Sequence, residues 1–233
     1  MSLKKTLYIN GDSHTAGTYL NDWYNHEKCF GALLSKKYNL NYINQAIAGG
    51  SNDRIIRTSK EYLKECDPKE TIILIGWSTF ERTEWFYKGE WYQICGQPQY
   101  EIKEKYLDRL WKNYTNSFYK GLNEDQAEEG TFYLSRAIES QYRIKEFGGW
   151  LTERKFKYLF FHAHSSFFSK KNPFQIEWPN NIWFKNQPYN PAISFCSYAL
   201  SKGYIPDKWW HFDYNAHNEY AEFLNLDFLK LLE

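Results

Sequence analysis

Four short blocks of the sequence carry the residue types used in nucleophilic catalysis. Ser13 follows Gly-Asp after a short apolar run, and His211 lies four residues after Asp207 near the C-terminus. A serine hydroxyl attacks a carbonyl carbon when a histidine accepts its proton, and a carboxylate commonly orients that histidine. Glycine-containing blocks at 49–54 and 76–78 lie between them. The sequence therefore contains the components for acyl transfer, although a Gly-Asp-Ser turn is common when taken alone.

Each of the first three blocks follows a predicted β-strand. The predicted strands are 7–10, 41–47, 71–75 and 158–163, and the predicted helices are 30–37, a helix capped within 51–53, 132–155 and 216–232. The alternation of strands and helices predicts a flavodoxin-like, three-layer α/β/α fold with a central, mainly parallel sheet. Loops at the carboxyl ends of parallel strands converge, so Ser13, Gly49 and Gly76 are expected to lie close together. The helix 132–155 is expected to be interrupted or to end at Gly148-Gly149.

The 233 residues are expected to form a single domain with two aromatic-rich insertions, at approximately 80–130 and 165–205. The first insertion should contain a helix within 102–119. The second, rich in proline and asparagine, should be irregular and lie beside the sheet edge near Ser13. There it would contribute aromatic side chains to the rim of the site, such as Trp178, Trp183 or Phe184.

Charge and hydropathy narrow the classes of partner. The net charge is +1 and the basic residues are scattered among acidic ones, which argues against nucleic acid and anionic membranes. The apolar run after Lys4-Lys5 is too short for a signal peptide, and no run approaches the roughly 20 apolar residues of a membrane span. We therefore expect a cytoplasmic protein. Four widely spaced cysteines indicate structural thiols: Cys29, Cys66, Cys95 and Cys196.

In their order along the chain, the blocks resemble those of the SGNH (GDSL-type) hydrolase family. The resemblance covers 6–82 and 207–221 as separate blocks. It is greatest for a subgroup associated with phage and marine microbial genomes, which would imply a phage-encoded protein. In that subgroup Ser-Asn-Asp-Arg-Ile follows the glycine block, and Gly-Trp-Ser/Thr with a nearby Arg-x-Glu forms the third block. These motifs correspond here to Ser51–Ile55, Gly76–Ser78 and Arg82–Glu84.

The resemblance implies an esterase that works through an acyl-enzyme without a metal or other cofactor. Ser13 would be the nucleophile, His211 its base and Asp207 the acid that orients the base. The backbone amides of Ser13 and Gly49 would bind the oxyanion, with Ser78 in the place of a family asparagine. The candidate substrate-binding residues are Asp12, His14, Asn52, Trp77 and Arg82.

Two departures from the family pattern bear on these roles. Ser78 offers a short, rotatable hydroxyl where the family has an asparagine amide, and losing one oxyanion donor costs about 100- to 1000-fold in rate. A poorly placed Ser78 would make the enzyme slow or require another donor, for which Thr79 and Arg82 are candidates. The usual Asp-x-x-His is here Asp-x-x-x-His, from Asp207 to His211.

The base could also be His217, because Asp213 precedes it by the same interval that separates Asp207 from His211. The family has a second histidine six residues after the catalytic one and a small helical residue ten residues after it. His211, with His217 and Ala221, matches that spacing, so we favour His211 and Asp207.

Two other classes of function compete with the hydrolase. A metal site is disfavoured because His162 and His164 alternate along a strand and would face opposite ways. A non-catalytic module that binds a glycan or a partner on the same fold is the stronger alternative, supported by the missing asparagine.

The 20% aromatic content fits core packing better than a sugar-stacking surface. An acetylated carbohydrate is the preferred substrate, with lipid, aryl and thioester substrates left open.

Overall fold

The computed structural model describes residues 4–19, 26–95, 103–123, 131–164, 176–179 and 193–233. In chain order the elements are β1 (Thr6–Asn10), α1 (Ser13–Ala16), α2 (Phe30–Lys37), β2 (Asn41–Asn44), α3 (Asn52–Leu63), β3 (Thr71–Trp77), β4 (Thr83–Tyr87), β5 (Glu90–Ile94), α4 (Lys105–Asn123), α5 (Thr131–Glu153), β6 (Lys157–His162), α6 (Phe195–Ser201) and α7 (Tyr214–Leu232).

The central sheet has the strand order β2-β1-β3-β6, and all of its described pairings are parallel. Leu7 of β1 is in register with Tyr42 of β2 and with Ile72 of β3. Every residue of β3 is buried, as expected for a central strand covered on both faces. The predicted three-layer α/β/α fold is thus confirmed.

Successive strand residues point to opposite faces of the sheet and supply two separate cores. One face packs against α2, α6 and α7, and its members include Leu7, Ile9, Ile72, Leu74, Leu159, Phe161, Phe30, Phe195 and Phe228. The other face packs against α3 and α5, and its members include Tyr8, Ile73, Ile75, Tyr158, Phe160, Ile55, Phe147 and Leu151. The largest fully buried side chains are mostly aromatic, which favours core packing as the main reason for the aromatic content.

The predicted helices agree with the structure except at one point. The helix 30–37 has the predicted bounds, and Ser51 caps α3 by accepting a hydrogen bond from the Arg54 amide. The long helix predicted over 132–155 is confirmed, but the interruption or end expected at Gly148-Gly149 is not seen, because α5 runs unbroken to Glu153. Phe147 and Leu151 are fully buried on either side of the glycines, so tertiary packing outweighs the low helix propensity of glycine.

The first predicted insertion is more regular than expected. It contains α4, which confirms the predicted helix, and the antiparallel hairpin β4–β5, which was not predicted. Lys88 and Gly89 form the two-residue turn of this hairpin with φ of 50° and 87°, the backbone that two-residue hairpins favour.

The second predicted insertion is not irregular throughout. Residues 195–201 form α6, which begins with a capping box between Ser194 and Ser197. Trp178 packs against the α3/α5 core, while Trp183 and Phe184 lie outside the described residues. None of the helices in the described ranges combines the length and apolar character that crossing a membrane requires.

Candidate active site

The turn after β1 presents Ser13 at the carboxyl edge of the sheet. Asp12 caps the short helix α1, and its Oδ1 accepts a hydrogen bond of 3.1 Å from the His14 amide. Ser13 is the first residue of α1, and the helix ends at Gly17, which has φ of 78°. Ser13 is 4% exposed, so it lies just beneath the surface.

Close backbone packing brings the glycine block and the end of β3 against this turn. A Cβ on Gly50 would lie 2.9 Å from the Gly11 carbonyl oxygen, closer than real Cβ atoms approach. A Cβ on Gly76 would collide with the Thr15 hydroxyl and lie 2.6 Å from the Phe161 ring. Both positions therefore require glycine if the three loops are to meet.

Asp12 is the centre of a buried polar network. Its Oδ2 accepts hydrogen bonds from Ser78 Oγ at 3.1 Å and from Arg82 Nη1 at 3.2 Å, and lies 3.3 Å from His164 Nε2. The Asp12 side chain is completely buried. Burial opposes its charge, but the contact with His164 and the neighbouring side chains of His14, His164 and Arg82 hold its pKa below the ordinary value. These contacts favour the charged form of Asp12 beneath the Ser13 turn.

Asn52 fixes the chain at Ser78. Its Oδ1 accepts from the Ser78 amide at 2.8 Å, and its Nδ2 donates to the Ser78 carbonyl oxygen at 3.1 Å and to Ser140 Oγ at 3.0 Å. Both amide protons are used inside the protein, so Asn52 positions the end of β3.

Trp77 is a core residue. Its side chain is fully buried and packs edge-on against Phe147 and Phe160 in the α3/α5 core. Trp77 therefore offers no exposed surface for the predicted substrate contact. His14 is also buried, between the rings of His164, His211, Phe195 and Phe212.

The backbone amides of Ser13 and Gly49 lie at the sheet edge. Neither amide has a partner among the hydrogen bonds of the described residues. Gly49 has φ of 73°, which glycine adopts without strain. Ser78 Oγ is engaged by Asp12 and also accepts from Arg82 Nη1 at 2.8 Å. The buried hydroxyl of Thr79 has no hydrogen-bond partner within the described part of the chain.

The segment from Asp207 to His211 forms a closed loop before α7. Asp207 Oδ1 accepts from the amides of Trp209 at 2.8 Å and His211 at 2.9 Å, and the Asp207 amide donates to the His211 carbonyl oxygen. Trp210 has φ of 65°, in the left-handed region. This turn accommodates the extra residue of Asp-x-x-x-His. Asp207 Oδ2 lies 3.7 Å from His211 Nδ1, slightly beyond hydrogen-bonding distance.

His211 and His217 lie in different environments. The His211 ring contacts the His14 ring at 5.5 Å between centroids, and burial lowers the pKa of His211 despite the opposing charges of Asp207 and Asp12. His217 is fully buried in α7, stacked on the rings of Phe30 and Phe195, and burial lowers its pKa to about 3. Asp213 is the N-cap of α7, and its side chain accepts a hydrogen bond from the Ala216 amide.

Sequence reasoning missed two polar residues at this edge. His164 follows β6 and contacts Asp12, and Cys196 of α6 contacts both His14 and His164. A histidine just after the last parallel strand was a usable signal, because every strand of such a sheet ends at the same edge. Cys196 carried no signal, since α6 itself was not predicted.

Solved structures resemble the chain in fold. The psychrotrophic esterase EstA from Pseudoalteromonas sp., in a structure inhibited by monoethylphosphonate, aligns with 98% of this chain and 99% of its own at 12% identity and a TM-score of 0.51. A carbohydrate esterase, described as having an active site with divergent catalytic and non-catalytic binding functions, aligns at 14% identity and a TM-score of 0.48, covering 99% of this chain and 66% of its own. A putative lipolytic protein of the G-D-S-L family from Desulfitobacterium hafniense DCB-2 aligns at 12% identity and a TM-score of 0.33, covering 94% and 97%. The likeness to EstA supports the α/β/α fold and concerns the fold alone.

The chain belongs to a family of unknown function, DUF6071, whose model matches residues 12–175. The matched region begins at Asp12 and includes the glycine block and the end of β3, but not the loop that carries His211. No curated protein matches the sequence.

Proposed function

We propose that the protein is a serine ester hydrolase in which Ser13 is the nucleophile, His211 the general base and Asp207 the residue that orients the base. The observation that carries the proposal is the meeting of two distant segments at one sheet edge. The His211 ring lies 5.5 Å from the ring of His14, the residue that follows Ser13. The resemblance of the sequence blocks to SGNH hydrolases and the fold shared with an esterase support the same assignment.

The proposed reaction follows from these positions. Ser13 Oγ attacks the acyl carbon while His211 Nε2 takes the serine proton, and the leaving alcohol then receives that proton. Water, deprotonated by the same nitrogen, hydrolyses the acyl-enzyme. Asp207 would accept a hydrogen bond from His211 Nδ1 once their 3.7 Å separation closes, as catalytic hydrogen bonds commonly do when substrate binds.

The oxyanion would be bound by the backbone amides of Ser13 and Gly49, which have no other partner among the described residues. Ser78 fits the third position poorly, because its hydroxyl would have to leave the buried anion Asp12. Thr79, with a buried hydroxyl that has no partner among the described residues, is the better third donor. We assign Ser78 and Asn52 to positioning the loop.

An acylated carbohydrate is the substrate class that the surroundings of His211 favour. Trp209 and Trp210, in the loop that carries the base, expose 36% and 58% of their surface. Exposed indole rings beside a hydrolytic centre provide flat apolar faces for a sugar ring. Arg82, partly exposed beside Asp12, remains a candidate for contacting the substrate.

A non-catalytic binding module on this fold is the second candidate. It is favoured by the engagement of Ser78, which leaves no asparagine-like donor at the third oxyanion position. A fluorophosphonate probe separates the two, since an activated serine displaces fluoride from phosphorus and becomes covalently labelled.

The wild-type protein should be labelled at Ser13, and Ser13→Ala should abolish both labelling and hydrolysis of a panel of acyl p-nitrophenyl esters and acetylated glycans. Ser35→Ala, which removes a buried serine hydroxyl from α2, is the matched control and should be labelled like the wild type. Thermal unfolding is measured for each variant. A folded wild type that is not labelled, or a Ser13→Ala protein that retains turnover, would contradict the proposal and favour the binding module.

A further inference from the structure

We infer that His14, His164 and Cys196 bind a transition-metal dication of the zinc type. The three side chains come from α1, from the residue pair after β6, and from α6. Cys196 Sγ lies 3.4 Å from His14 Nε2 and 3.8 Å from His164 Nδ1. All three donor atoms lie within 4.8 Å of one another. The inference is independent of the proposed hydrolase activity.

The two sulfur–nitrogen separations fit tetrahedral coordination. Zinc bonds of about 2.3 Å to sulfur and about 2.0–2.1 Å to nitrogen place the two kinds of atom about 3.6 Å apart across a tetrahedral angle. The observed values of 3.4 and 3.8 Å lie on either side of that figure. Borderline-soft dications bind to one thiolate and two imidazoles in preference to Mg²⁺ or Ca²⁺, which prefer oxygen ligands. Three protein ligands leave a fourth position for water.

The neighbouring groups suit a metal-bound histidine. His164 presents Nδ1 to Cys196 and Nε2 to Asp12 Oδ2, at 3.3 Å. A ligating histidine characteristically donates its second ring N–H to a carboxylate, which fixes the tautomer and increases the basicity of the ligand. Asp12 would serve this purpose, and its buried negative charge favours a cation nearby.

The ligands are also held in place before any ion binds. The Cys196 amide donates to the Ala163 carbonyl oxygen at 3.2 Å, and Ser194 forms a parallel bridge with His162. These bonds hold the start of α6 against the end of β6, next to the residues that carry Cys196 and His164. His14 is buried, and its Nδ1 has no hydrogen-bond partner within the described residues.

His162 and His164 alternate along the strand, which disfavours a metal site built from both of these histidines. The cluster in the structure uses His164 with ligands from two other elements, so the alternation does not bear on it.

The test is a titration of the chelator-treated, reduced full-length protein with Co²⁺, followed by absorbance. We expect one equivalent to bind, with a thiolate-to-cobalt charge-transfer band in the near ultraviolet and strong visible bands of tetrahedral Co²⁺. One equivalent of Zn²⁺ should displace it. Absence of binding, or a spectrum without the thiolate band, would overturn the inference.

Variants assign the ligands. Cys196→Ser and His164→Gln should each weaken binding by at least about 100-fold, and Asp12→Asn by about 10-fold or more. Cys66→Ser, which changes a thiol near the C-terminal end of α3 against the opposite core, should bind like the wild type. Thermal unfolding without metal verifies that each variant is folded, and Zn²⁺ should raise the melting temperature of the wild type but not of Cys196→Ser. Undiminished binding by folded Cys196→Ser would also overturn the inference.

Ser13→Ala should lose fluorophosphonate labelling and keep Co²⁺ binding. The two proposals therefore fail separately: loss of the serine chemistry leaves the metal titration unchanged, and a failed titration leaves the labelling result intact.

Discussion

Two buried carboxylates lie at the same edge of the sheet and are held in different ways. Asp12 receives contacts from its own turn at His14, from the segment carrying Ser78 and Arg82, and from His164 after β6. The charge of Asp12 is therefore stabilised by contacts from three separate parts of the fold.

Asp207 accepts hydrogen bonds within its own loop. Its Oδ1 accepts two amides of its own loop, from Trp209 and His211, and its Oδ2 faces the His211 ring at 3.7 Å. Replacing Asp12 should therefore disturb the fold, whereas replacing Asp207 should disturb chemistry with little change in stability.

The largest effect should come from the histidine that Asp207 faces. His211→Ala should lower turnover by about 1000-fold or more, because removing the base of a serine hydrolase costs several orders of magnitude. His217→Leu is the control: leucine is similar in volume, and neither ring nitrogen of His217 has a hydrogen-bond partner among the described residues. It should stay within about tenfold of the wild type. If initial rates on a p-nitrophenyl ester show the reverse ranking, the triad belongs at His217 and Asp213.

Asp207→Asn should lower kcat by about 100- to 10,000-fold. A neutral amide does not stabilise the His211 imidazolium, and it favours the wrong tautomer of the imidazole. The asparagine carbonyl oxygen can still accept from the Trp209 and His211 amides, so the loop should keep its conformation. The free energy of unfolding, measured by denaturant titration, should change by less than about 1 kcal/mol. A large loss of stability would show that this carboxylate, too, is held by the wider fold.

Asp12→Asn should lower the free energy of unfolding by about 3–5 kcal/mol, since it leaves Arg82 and His164 facing a neutral group in a buried site. Asparagine remains a good N-cap for α1, so the change isolates the charge. Denaturant titration compares this variant with Asp207→Asn. Equal stabilities for the two variants would remove the distinction between the carboxylates.

Trp210 tests how much strain the Asp207 loop contains. Trp210 has φ of 65°, in the left-handed region, where glycine has no Cβ penalty. The Trp210→Gly variant should therefore be more stable than Trp210→Ala by about 1 kcal/mol. Both variants remove the indole, so their difference reports the backbone alone. At Trp209 the same pair should show no advantage for glycine, and an advantage of equal size there would argue against local strain at Trp210.

Much of the architecture could be predicted because it depends on local patterns. The apolar strands β1 and β3, the helix 30–37 and the Ser51 cap each combine a periodic pattern with a boundary residue. The hairpin β4–β5 was missed because its turn uses Lys88-Gly89 in place of the usual Asn-Gly. The helix α6 has seven residues, too few for a helical period to be recognised.

For the candidate site, sequence order identified which loops meet, because parallel strands end at one edge. It could not identify which polar groups bind one another. Ser78 was expected to face the oxyanion, but the buried carboxylate of Asp12, two residues after the end of β1, competes for its hydroxyl. Cys196 reaches His14 across 182 positions of the chain, a contact that no local pattern encodes.

The wholly parallel central sheet has a consequence for the time course of folding. Parallel strands cannot be joined by tight hairpins, so each pairing in β2-β1-β3-β6 requires the closure of a long crossover. Proteins dominated by such distant contacts fold slowly. The loop with His211 follows these four strands in the chain, so its ring can reach that of His14 only after the chain between them has been organised. We expect helical circular dichroism to return early in refolding and the ability to react with a fluorophosphonate to return late.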